Sequence, residues 1–117
     1  MTPEELQARC RRFAIEIILL VRKFPKTVDG YVLGRQLCKS GTAIGANYQS
    51  FRRAKSHADF VSKIKVSEEE ADESVYWLDL VNETKLIESS KVSELLREAK
   101  ELTAIFTAAS KTAKSRQ

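Results

Sequence analysis

The stretch Leu33-Gly34-Arg35-Gln36-Leu37-Cys38-Lys39-Ser40-Gly41-Thr42-Ala43-Ile44-Gly45-Ala46-Asn47 decides how this chain folds. Gly34, Cys38, Gly41 and Gly45 recur at intervals of four, three and four, which places small residues along one face of a helix. Leu33, Leu37, Ile44 and Phe51 mark a neighbouring apolar face. A glycine inside a helix costs about 1 kcal/mol relative to alanine, so three of them would sink an isolated helix. They fit a helix whose flat face lets another helix approach closely. Gly34, Gly41 and Gly45 are therefore the expected points of close helix packing.

Outward from this segment the pattern stays helical. Toward the N-terminus, Leu6, Cys10, Phe13, Ile17, Leu20 and Phe24 form an inward stripe. Thr2, Pro3 and Glu5 supply an N-cap, a first-turn proline and a capping box. Pro25 stops that helix, because proline disfavours helical backbone at the residue before it. Ile15, Ile18 and Leu19 lie off the stripe, so this helix carries more apolar surface than one bundle face needs. Toward the C-terminus, Ser56 and Asp59 open a third helix with Phe60, Ile64, Ala71, Val75, Leu78 and Val81 inward. Ser89 or Ser90 opens a fourth, with the stripe Val92, Leu95, Leu96, Ala99, Leu102, Phe106 and Ala109; its polar end from Lys111 is expected to fray. No glycine or proline follows Gly45, which favours long helices and short links. The expectation is one all-α domain over residues 1–117: an antiparallel up-down-up-down four-helix bundle, with helices over about 3–24, 29–55, 57–84 and 90–112.

The chain has 117 residues, enough for a core without disulfides or metals. Cys10 and Cys38 show no metal-ligand spacing and read as buried free thiols in a reducing compartment. There is no signal-type start, and the apolar run Ile17 to Val21 is too short to span a bilayer. A cytoplasmic protein with no membrane contact is expected.

Several motifs in order carry a resemblance. They are Phe24-Pro25-Lys26, Tyr31 and Leu33, Gln36-Leu37-Cys38-Lys39-Ser40, Ala43-Ile44-Gly45-Ala46-Asn47, Asp59-Phe60, Lys63, Glu70-Ala71-Asp72-Glu73 and Trp77-Leu78. Together, over about residues 8–108, they resemble the bacterial four-helix-bundle family named for proteins encoded in intervening sequences of large-subunit ribosomal RNA genes. The resemblance implies a cyclic homo-oligomer, a pentamer. It also implies kinship with accessory proteins of diversity-generating retroelements, which bind nucleic acid and a reverse transcriptase. It carries over no catalytic residue. Many members follow the Ala-Asn pair with Ile-Ala-Glu-Gly; here Tyr48-Gln49-Ser50-Phe51 stands in that place, so no role of that glutamate transfers.

The net charge is +4, but its distribution is more informative. In such a bundle one end collects Arg9, Arg11, Arg12, Arg52, Arg53, Lys55, Lys63, Lys65, Lys111, Lys114 and Arg116, against Glu4, Glu5 and Asp59. All of these cations but Arg116 are taken as candidate nucleic-acid contacts. Cations near helix C-termini also serve the helix dipole, which accounts for Arg52, Arg53, Lys111 and Lys114 without a ligand. Phe51 alone among the aromatics is expected to interleave with this cluster, which argues against base stacking on single strands. The acidic run Glu68 to Glu73 reads as a solvated face, or as a partner surface that would meet Arg35 or Lys39 of a neighbouring subunit. Ile15, Ile18, Leu19 and Trp77 are the expected oligomer interface.

Enzyme chemistry finds no support. His57, the single histidine, supplies neither a triad nor the Glu-x-x-His pairs of a di-iron bundle. Gly41-Thr42-Ala43-Ile44-Gly45 lacks the Gly-Lys-Ser/Thr of a phosphate-binding loop. No cofactor, metal or catalytic residue is expected. Ser40 and Asn47 beside the small-residue stripe read as hydrogen-bonding cross-links between helices. The leading expectation is a non-catalytic oligomeric scaffold that associates with RNA, the ribosome or DNA through its basic end. A protein partner such as a reverse transcriptase or a ribosomal component fits that setting. The alternative is a protein–protein adaptor with no nucleic-acid contact.

Overall fold

Four α-helices follow one another with no strand among the described residues: α1 Pro3–Val21, α2 Val28–Gln49, α3 His57–Thr84 and α4 Ser90–Ser115. The structure, a computed structural model, describes residues 1–49 and 54–116. At 1.5 Å per residue, the 28-residue α3 is about 42 Å long, and it sets the long dimension of a 46 × 21 × 20 Å body.

Side-chain pairings fix the direction of each helix. Gly45 faces Cys10, Gly41 faces Ile17 and Gly34 faces Val21, so α1 and α2 run antiparallel. Ser67 Oγ donates to the Ile44 carbonyl at 2.9 Å, and the hydroxyls of Ser74 and Ser40 lie 2.9 Å apart, which opposes α3 to α2. His57 meets Ala113, and Thr107 donates to Glu68 at 2.8 Å, opposing α4 to α3. Arg9 reaches Glu98 and Lys91 reaches Glu16, closing the ring of helices. The expected up-down-up-down arrangement is the observed one.

The glycine face packs as expected. A Cβ at Gly34 would stand 2.9 Å from Val21 Cγ1, and one at Gly45 would stand 3.1 Å from Cys10 Cβ. The inward stripes of α1 and α4 are buried from Leu6 to Phe24 and from Val92 to Phe106. Burial of apolar area at roughly 25 cal/mol per Å² is what holds these helices, more than their own propensity. Tyr48 and Phe106 meet edge to face at 5.4 Å across the core.

Three boundaries differ from expectation. α1 ends at Val21, and Lys23 and Phe24 close a tighter turn onto the Leu20 and Val21 carbonyls. Pro25 constrains Phe24, and the last turn tightens to keep Phe24 buried. α2 is described to Gln49, and Ala54 and Lys55 are not helical. The Lys55 N–H instead donates to Asp59 Oδ2 at 3.0 Å while Ser56 accepts from the Asp59 N–H, so this segment is committed to starting α3. α4 runs on to Ser115, because Ser110 and Ala113 continue its buried stripe. Phe51, Arg52 and Arg53 lie outside the described residues.

The links use little glycine. Thr27 starts α2 by accepting from the Gly30 N–H at 3.2 Å. Lys85 ends α3 in the left-handed conformation, with φ 51°.

Candidate nucleic-acid interface

The bundle end formed by the start of α1, the start of α3 and the end of α4 does collect cations, but not all of those expected. Arg9 is committed elsewhere: its Nε and Nη2 donate to the two carboxylate oxygens of Glu98 at 2.6 Å each, and Nη2 also reaches Glu101 at 3.0 Å. This fork matches the planar guanidinium to the carboxylate. It holds the guanidinium's pKa above its ordinary value, chiefly through the Glu98 hydrogen bond. Arg9 therefore staples α1 to α4 and leaves the list of free cations. Lys63 is paired with Asp59 at 3.1 Å and Lys65 with Glu68 at 3.1 Å. Asp59 is held below the usual carboxylate range, first by the Lys55 backbone N–H and then by Lys63. Glu68 is lowered first by the Thr107 hydroxyl.

Arg11, Arg12, Lys111, Lys114 and Arg116 are exposed and make no salt bridge with a described residue. Arg12 is not at this end: the antiparallel pairing of α1 with α4 sets it in a groove with Glu16, Lys91, Glu94 and Glu98, toward the start of α4. Lys55 is exposed just before α3. Arg52 and Arg53 lie outside the described residues. Sequence reasoning does not bring Glu98 and Glu101 to Arg9. Their signal was the antiparallel pairing of α1 with α4, which sets the middle of α4 opposite Arg9.

The aromatic content of this end also needs correction. His57 and Phe60 stand there, their ring centroids 6.2 Å apart and tilted by 32°. His57 Nε2 lies 2.9 Å from the Ala113 carbonyl; since a carbonyl accepts, this nitrogen donates and the ring is pinned to the end of α4. Phe60 is half-buried at the edge of the core. Its place on an apolar stripe hid its second position, one turn into a helix that begins at the basic end.

Ile15, Ile18 and Leu19 are exposed on α1, at 45%, 37% and 48%. Val28, Tyr31 and Val32 are also exposed, on the first turns of α2. Trp77 is half-buried, its Nε1 donating to Glu73 at 3.2 Å and its ring edge-on to Tyr76 at 4.9 Å. The more exposed partner of that pair is Tyr76. Ser40 does cross-link helices, through Ser74. Asn47 makes no such cross-link to a described residue: its amide donates to the Ala43 carbonyl of its own helix at 2.8 Å, the i to i−4 bond by which short polar side chains compete for helix carbonyls. Among the described residues no group of three His, Cys, Asp or Glu side chains is placed to hold a metal, and no helix is long and apolar enough to cross a membrane.

A family model for the 23S rRNA-intervening sequence protein matches residues 5–108. The chain belongs to that family. Among solved structures, a protein of unknown function from the S23 ribosomal protein family of Bacteroides thetaiotaomicron VPI-5482 is similar, with a TM-score of 0.84 and 28% identity. The match covers 95% of this chain and 99% of that one. None of the curated proteins matches significantly. The 23S rRNA-intervening sequence family thus accounts for the four-helix fold over nearly the whole chain, from α1 into the last turns of α4.

Proposed function

We propose that this member of the 23S rRNA-intervening sequence family is a non-catalytic, self-associating scaffold that contacts nucleic acid through the basic end of its bundle. One observation carries the reading. Lys55, Lys111, Lys114 and Arg116 share the end where α3 starts and α4 finishes, and its acids Asp59 and Glu68 are already paired with Lys63 and Lys65. Uncompensated positive charge of this kind attracts phosphates and gives salt-dependent binding. The exposed apolar residues of α1 support self-association, with a five-subunit ring as the stoichiometry proposed on family resemblance.

The test is fluorescence anisotropy with structured RNA and duplex DNA over a salt series, beside light scattering on the protein alone. Lys111→Ala and Lys114→Ala should each lower the salt slope by about one, whereas Arg9→Ala leaves it unchanged. Absence of binding near 50 mM salt overturns the nucleic-acid reading, and a monomeric mass overturns the scaffold. The adaptor reading has one observation of its own, the acidic face of α3 with Tyr76 57% exposed beside Asp72. A partner captured from lysate and retained after nuclease treatment favours it.

A further inference from the structure

Where α3 begins against the end of α4 the surface opens into a groove of about 490 Å³, lined by His57, Phe60, Ala109, Thr112, Ala113 and Arg116. We propose that this groove binds an unpaired base of single-stranded nucleic acid; the inference rests on the basic-end reading and names the form of nucleic acid it takes.

The walls suit a flat, polarisable ligand attached to phosphate. His57 and Phe60 both line the groove, their ring centroids 6.2 Å apart and tilted by 32°. His57 is exposed, so a base stacks on its ring with Phe60 lining the groove beside it. The hydrogen bond from His57 Nε2 to Ala113 holds that ring in place before any ligand arrives, so little freedom is lost on binding. Ala109, Thr112 and Ala113 form a floor of small side chains that leaves the space open. The Arg116 guanidinium, at the end of α4, can stack on a base or meet a phosphate. Lys55, two residues before His57 in the chain, is exposed. Aromatic rings set among cations are the composition of a single-strand platform, in which stacking is sequence-tolerant and phosphate contact supplies the rest. A duplex keeps its bases stacked internally and offers this wall nothing but its backbone.

The experiment compares three labelled probes on the intact protein by anisotropy at low salt: an oligothymidylate strand, an abasic strand with the same number of phosphates, and a blunt DNA duplex. Stacking predicts that the base-bearing strand binds about fivefold or more tightly than the abasic one. His57→Gln keeps an N–H for Ala113 and removes the ring, and Phe60→Leu keeps apolar bulk and removes the π face. Both should erase the preference without changing the salt slope, while Arg116→Ala should lower the slope by about one. Thermal melts check that the variants fold, and His57→Gln, at an exposed position, decides alone if Phe60→Leu does not. Equal binding of base-bearing and abasic strands, unaffected by the variants, overturns this inference and leaves the basic-end contact standing. No binding by any probe overturns the contact itself.

Discussion

Gly41 of α2 lies so close to Ile17 of α1 that a Cβ at position 41 would stand 3.1 Å from both γ carbons of the isoleucine. Ile17 is fully buried and branched at Cβ, so it has no low-energy rotamer to retreat into. Gly41→Ala therefore sets an overpacking cost of about 1–3 kcal/mol against a helix-propensity gain of about 1 kcal/mol. The expected outcome is a net destabilisation of up to about 2 kcal/mol in chemical denaturation. In an Ile17→Ala background the same substitution should become neutral or stabilising; a double-mutant cycle without such coupling would show that this contact is not what holds the helices together.

Gly30 is a different case. A Cβ there would run into the Pro25 carbonyl, which is backbone and cannot rotate away. Gly30→Ala should cost more than Gly41→Ala, on the order of 3 kcal/mol. The loss should appear as a lowered thermal midpoint. A variant as stable as the parent would mean that the link between α1 and α2 rearranges freely.

Ser40 and Ser74 are buried, with their hydroxyls 2.9 Å apart and Ser74 also 2.9 Å from the Glu70 carbonyl. A carbonyl only accepts, so when Ser74 gives its proton to Glu70 it accepts from Ser40. Ser74→Ala strands the Ser40 hydroxyl and should cost about 1–2 kcal/mol. The Ser40→Ala/Ser74→Ala double variant removes both partners and should recover most of that loss. Strictly additive effects in equilibrium unfolding would contradict the bond.

The fold was legible because its strongest signals are local and repetitive. The stripe from Leu6 to Phe24 needs no partner to be read, and Ser56 with Asp59 announces a helix start from the sequence. The glycine face predicted a close approach, and the structure supplies the opposing residues Cys10, Ile17 and Val21. What escaped depends on pairs far apart in sequence. Arg9 looks like a free cation until α4 brings Glu98 to it. Ser67 and Ser74 look like solvent-facing serines until α2 covers them. His57 and Phe60 become part of the basic end only when Arg116 closes the groove beside them.

Glu70 Oε2 is buried at the α2-facing side of α3 without a hydrogen-bond partner among the described residues. Burial raises its pKa above the ordinary 4.5, Glu73 and Glu69 add to the rise, and Lys39 opposes it. A carboxyl with a raised folded-state pKa binds protons better folded than unfolded, so its stability contribution is lost as pH rises through that range. Glu70→Gln should be more stable than the parent at pH 7, on the order of 1 kcal/mol. Its stability should also fall less between pH 4.5 and neutral. Denaturation midpoints across that range check both points, and an unchanged pH profile would mean that the carboxylate is solvated.

The two thiols should differ in reactivity. Cys10 is fully buried against Gly45, and burial pushes its pKa up to about 12, with Glu98 adding and Arg9 opposing. Cys38 is half-buried, its pKa raised by the same cause, and it lines an open groove between α1 and α2 with Arg35 and Tyr31. The thiolate is the reacting species. A disulfide reagent at pH 8 should therefore label Cys38 slowly, spare Cys10 in the folded protein and modify both in denaturant. The rate at Cys38 also reports on the outer α1–α2 face. If self-association covers that groove, labelling of Cys38 should accelerate on dilution while Cys10 stays protected. A Cys38 rate independent of protein concentration would place the contact between subunits on another face.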